Sequence, residues 1–182
     1  MIGLEDLCRA KELYQLEGFV PVDVPHVIKK KYSEHTKPEG IPDLHHSPEL
    51  VYCASSEQSF IQMLEEDQLG FGNYQSLAPC YRPEPLLNKD SCLVFLKLEI
   101  ISVLSEKNPE QMALIAQRVM SQLGVRGTRL VDTLEGIDLE TPCGIELGSY
   151  GFRETPSGIL YTYGTGIAFP RFYNAKEQYG NI

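Results

Sequence analysis

The chain has 182 residues, 42% of them hydrophobic, which supports one domain spanning 1–182 with a sizeable core and leaves little room for a second. Lys and Arg number 16 against 25 Asp and Glu, a formal charge of -9 that disfavours a general nucleic-acid-binding surface and confines any RNA contact to a local one. Five cysteines (Cys8, Cys53, Cys80, Cys92, Cys143) form no CxxC pair, no charged-then-apolar leader opens the sequence, and no apolar run approaches the roughly 20 residues that span a bilayer, so the expectation is a cytoplasmic protein without a membrane segment.

Residues 4 to 17 carry Leu4, Leu7, Cys8 and Tyr14 near helical spacing, and Gly18 terminates the pattern. Gly18 to Pro25 is β-branched and proline-bounded, the mark of a short edge strand, because proline cannot donate to a sheet ladder. Residues 29 to 48 are polar and read as a loop. Ser55 and Ser56 precede Phe60, Ile61, Met63 and Leu64, with Gly70 beyond, which predicts a hydroxyl-capped helix. Residues 74 to 82 and 93 to 104 form a long antiparallel hairpin around Asn88-Lys89-Asp90. Asn108, Pro109 and Gln111 then open a helix whose stripe is Met112, Ile115, Val119 and Leu123, closed by Gly124. From 129 onward short apolar runs (129–134, 144–147, 159–163) alternate with Gly and Pro, as in strands. The order is α+β, an antiparallel sheet flanked by helices. His26, His35, His45 and His46 lack metal-helix spacing, and no nucleophile-elbow motif appears.

Four separated segments resemble, in order, the signature pieces of class II aminoacyl-tRNA synthetases. Taken singly, they also read as an edge strand, a helix opened by an acid, a surface hairpin and a Gly-x-Gly turn. Gly18 to Pro25 is similar to motif 1, which in that family lines a two-fold interface and so implies a homodimer. Ser55-Ser56-Glu57-Gln58 resembles a helix start that places a carboxylate, here Glu57, beside the substrate ammonium. Tyr81-Arg82-Pro83-Glu84, a turn, and Phe95-Leu96-Lys97-Leu98-Glu99 resemble motif 2. The resemblance implies that Arg82 bridges the ATP α-phosphate and the substrate carboxylate, that Glu84 accepts from the adenine amino group, and that Phe95 stacks on the purine. Where family members commonly carry His or Arg before that Phe, this chain has Asp90 and Ser91, with Lys89 the nearby candidate to take that place.

Tyr163 to Arg171 is similar to motif 3, which implies that Gly164 and Gly166 admit the adenosine and that Arg171 faces the γ-phosphate. Ala168 and Pro170 stand where the family usually has Gly and an acid. Gly144 to Ser149 resembles the Gly-x-Glu-hydrophobic-Gly-polar strand of the lysine, aspartate and asparagine branch. There Glu146, with Asp138 or Glu140, would hold Mg2+, and Ser149 would meet the substrate. The resemblance implies ATP-dependent activation of an amino acid or small carboxylate as an acyl-adenylate. Transfer to a tRNA acceptor stem, ammonia, a carrier protein or a lysine stays open. The alternative is an inactive synthetase paralogue that senses a ligand or binds a protein.

Overall fold

The computed structural model describes residues 3–37, 40–83, 92–104 and 107–180. Its centre is a seven-stranded sheet in the order β1-β4-β5-β9-β8-β7-β6. The strands are β1 (Val20–Pro21), β4 (Gly72–Tyr81), β5 (Val94–Val103), β6 (Arg129–Asp132), β7 (Ile137–Glu140), β8 (Glu146–Glu154) and β9 (Leu160–Ala168). β1 runs parallel to β4 at one edge, and every other pairing is antiparallel. A separate pair joins β2 (Val27–Lys29) to β3 (Leu50–Tyr52). The expected hairpin is present, in register from Gly72 opposite Val103 to Tyr81 opposite Val94. This is an α+β architecture dominated by an antiparallel sheet.

The period of two in β5 divides the molecule into two layers. Leu98 and Ile100, with Leu96 packed behind them, join a back-face core completed by three helices: α1 (Leu4–Leu16), α4 (Pro109–Gln122) and α5 (Arg171–Tyr179). Ile101 and Val103 join a front-face core with α3 (Ser56–Glu65), β2 and β3. Earlier in β5, on that same front face, stand Phe95, Lys97 and Glu99, which line the cavities described below.

The helix ends follow local chemistry. Asn108 and Gln111 form a reciprocal capping box with bonds of 2.9 Å each way, and Pro109 occupies the first turn of α4. Gly124 follows that helix at φ 96, and Gly18 follows α1 at φ 90, conformations in which a side chain is strained. Two expectations are corrected. Residues 29 to 48 are not all loop, because Lys30–Thr36 forms α2, whose buried Tyr32 and Ser33 are too few to leave a periodic signal. Ser55 stands at the N-cap of α3 but makes no side-chain cap bond; its hydroxyl goes to Glu99 instead. Among the described residues, no helix is long and apolar enough to cross a membrane.

Candidate nucleotide and substrate site

Two cavities open on the front face. The larger, about 680 Å³, lies between the start of α3 and strands β5, β8 and β9, with the β6–β7 turn at its lip. The smaller, about 70 Å³, lies where β4 and β5 part and β9 runs into α5. Arg82, Lys97, Glu146 and Thr165 line both. Two irregularities shape this end of the sheet: pairing slips between Leu98 and Glu99 opposite β9, and between Leu139 and Glu140 opposite β8. A bulge redirects the side chains after it. Thr165 faces the cavities, whereas Ile167 enters the back-face core.

Each buried acid in the large cavity is held by partners within the chain. Glu99 accepts from the Ser55 hydroxyl at 2.5 Å, from the Ser56 backbone N–H at the start of α3, and from Lys97 Nζ at 2.6 Å. Burial alone would push its carboxyl up, but Lys97, Ser55 and the nearby Arg82 hold it below the usual carboxylate range. Glu57 accepts from Arg153 Nη1 at 2.9 Å on both oxygens and from the Tyr161 hydroxyl at 3.0 Å. Here burial wins, and the Glu57 carboxyl lies above its ordinary range even with Arg153 beside it. The Arg153 guanidinium lies over the Tyr163 ring, 4.2 Å from its centroid, and Nη2 reaches Glu135 at 3.5 Å.

The predicted residues fall as follows. Arg82 leaves the end of β4, donates from Nε to the Ala54 carbonyl at 3.2 Å, and lies 5.4 Å over the Phe95 ring. Arg171, the first residue of α5, donates to the Glu146 carbonyl at 3.2 Å and to its carboxylate at 3.3 Å. Arg82, Phe95 and Arg171 thus line one small cavity, although 89 residues separate the two arginines (171 - 82). Glu84 and Lys89 lie outside the described residues.

Gly164 lines the large cavity, but a Cβ built on it would stand 2.6 Å from Tyr150 and 3.0 Å from Met112, on the core side. A Cβ on Gly166 would meet Leu98 and Tyr14. Both glycines are therefore required by back-face packing, whatever they admit on the front.

Glu57 and Ser149 line the large cavity, as do Asp138 and Glu146. Glu140 does not, and its carboxylate is engaged by Arg129 at 2.8 Å. Leu139, between Asp138 and Glu140, is fully buried in the back-face core. Among the described residues, no group of three or more His, Cys, Asp or Glu is gathered to hold a metal. Two carboxylates, Asp138 and Glu146, nevertheless suit magnesium, which keeps several waters and is commonly completed by phosphate oxygens. Burial raises the Cys53 thiol to about 11, so it stays protonated as a core residue.

Motif reasoning passed over Lys97 and Arg153. The signal for Lys97 was its parity with Phe95 and Glu99 on one strand; Arg153 shares parity with Ser149 in β8 but falls outside any motif.

The antiparallel-rich sheet with its flanking helices is a class II aminoacyl-tRNA synthetase-like fold. Solved structures agree. The chain matches PylSc, a pyrrolysyl-tRNA synthetase of Desulfitobacterium hafniense, with a TM-score of 0.79 at 16% identity, over 98% of this chain and 68% of that one. A crystal structure of pyrrolysyl-tRNA synthetase from the same organism matches with a TM-score of 0.80 at 18% identity, over 98% and 71% of the two chains. No protein-family model and no curated protein matches the sequence.

Proposed function

We propose that the protein is an ATP-dependent, adenylate-forming ligase that activates an amino acid or a related small carboxylate. The observation that carries this reading is the convergence of Arg82, Phe95 and Arg171 on one cavity that adjoins a larger, mixed-polarity one. In the reaction a substrate carboxylate oxygen forms a bond to the α-phosphorus of ATP while the bond to the bridging oxygen of pyrophosphate breaks. Two anions must be brought together, and a fixed guanidinium suits that task because its planar fork stays charged and satisfies paired oxygens. Arg82 has this role, Phe95 offers its ring to the purine, and Arg171 meets the distal phosphates. Preset positive charge of this kind is usually the largest catalytic term. Asp138 and Glu146 would hold magnesium, which neutralises charge on the departing pyrophosphate. Arg171 must then exchange its bond with the Glu146 carboxylate for one with phosphate.

Glu57 is committed to Arg153 and Tyr161, so a substrate ammonium reaches it by sharing or displacing Arg153. The in-chain pairs on Glu57 and Arg171 also favour a second reading, a ligand-sensing paralogue that binds without turnover. We place the protein in the reducing cytoplasm, consistent with five free thiols, as a single-domain homodimer. The expected interface is the β1 edge, where Leu16 and Val20 are exposed. A tRNA acceptor stem is one candidate acyl acceptor. ATP–pyrophosphate exchange with a full amino-acid panel tests catalysis: exchange with one member, lost by at least a hundredfold in Arg82→Ala, is expected. Calorimetric ATP binding without exchange selects the sensor, and a wild type that neither binds nor exchanges ends both readings.

A further inference from the structure

Lys97 projects from the centre of β5 with its side chain about nine-tenths buried. It lines both cavities, as Arg82 does, and therefore stands at the neck between the two compartments. The small cavity is lined by three cations, Arg82, Lys97 and Arg171, and one carboxylate, Glu146; with Glu99 paired to Lys97 from the adjoining cavity, one positive charge is left in excess among the described residues. That excess of positive charge suits phosphate oxygens.

An ammonium has three N–H donors. One is committed to Glu99 Oε1 at 2.6 Å, and Glu99 is itself anchored by Ser55 and the start of α3. The ammonium is thus fixed in place and keeps donor capacity for a ligand without leaving its partner. Stability alone gives little reason for such a pair, because replacing a buried ion pair by apolar residues of similar volume is often neutral or favourable. A charge held in a cavity wall by a second, anchored charge is the arrangement that electrostatic preorganisation needs.

The geometry points to Lys97 as a further catalytic residue, one that takes an α-phosphate oxygen together with Arg82 at the point where the two substrates meet. This rests on the nucleotide-binding reading of the site, and it deepens that reading by placing a cation on β5 that the motif comparison does not supply.

Calorimetric binding of adenosine and of AMP to the full chain tests the assignment, because the ratio of the two affinities isolates the phosphate. In Lys97→Met the preference for AMP over adenosine should shrink about tenfold or more, with adenosine affinity unchanged. Lys97→Arg should restore most of the preference. Lys97→Met/Glu99→Gln, which leaves no unpaired buried carboxylate, should show the same loss with a cooperative melt retained. A preference for AMP that is unchanged in both methionine variants, or a fall in adenosine and AMP affinity by equal factors, overturns the role of Lys97 and leaves the nucleotide site standing. A wild type that binds neither ligand overturns both.

Discussion

Replacing Arg153 with methionine keeps most of the side chain's length and apolar stem but removes the charge that faces Glu57. The Glu57 carboxylate is buried and would be left with the Tyr161 hydroxyl as its remaining side-chain partner among the described residues. Removing one member of a buried pair costs about 3–5 kcal/mol. Arg153 keeps 31% of its side-chain surface in water, which reduces what the pair is worth, so about 2–3 kcal/mol is the appropriate magnitude. For a chain of this size that lowers the melting temperature by roughly 5–10 °C.

The pH dependence distinguishes a charge effect from lost packing. Glu57 already titrates above its ordinary range in the folded protein because burial disfavours its charged form, and loss of Arg153 raises it further. A carboxyl raised in the folded state contributes its stability below the unfolded pKa and loses it as pH rises through the folded value. The deficit of Arg153→Met should therefore be small near pH 4 and grow toward pH 8. Urea unfolding across that range measures it, with Glu57→Gln/Arg153→Met as the control that removes both charges and recovers most of the loss at pH 8. A deficit equal at both pH values, or none at pH 8, refutes the reasoning.

Gly164→Ala should destabilise by about 1–3 kcal/mol, because its Cβ would stand 2.6 Å from the buried Tyr150 ring, and the lower urea midpoint should appear without ligand present. A fall in nucleotide affinity at unchanged stability would instead assign this glycine to the ligand side. Asn108→Ala should cost about 1 kcal/mol through loss of the reciprocal cap on α4, read as a lower melting temperature with no change in ligand binding.

What the sequence disclosed was whatever local backbone chemistry dictates. The box at Asn108 and Gln111 is a contact between residues three apart, and the β4–β5 hairpin is carried by strand-length runs on both sides of a polar turn. Arg82 and Arg171 were singled out because their flanking residues form family patterns, and both line one cavity, Arg171 as the first residue of α5. The pairing of Glu57 with Arg153 was not legible, since 96 residues separate them and only the sheet order joins them. Nor was the commitment of Ser55 to Glu99: its sequence context is that of a cap, and a buried carboxylate from β5 competes more strongly for the hydroxyl. Helix α2 escaped because two buried residues in seven give no period, and its position depends on packing against α3, β2 and β3. The glycines of motif 3 were recognised but given a ligand-side reason, whereas their contacts across the sheet supply a structural one.

The alternation along β5 makes the molecule sensitive to parity. A slip of β5 by one residue would turn Lys97 and Glu99 toward the back-face core and bring Leu98 and Ile100 onto the cavity face. A change of length within that strand which keeps both faces as they are must therefore come in even numbers of residues.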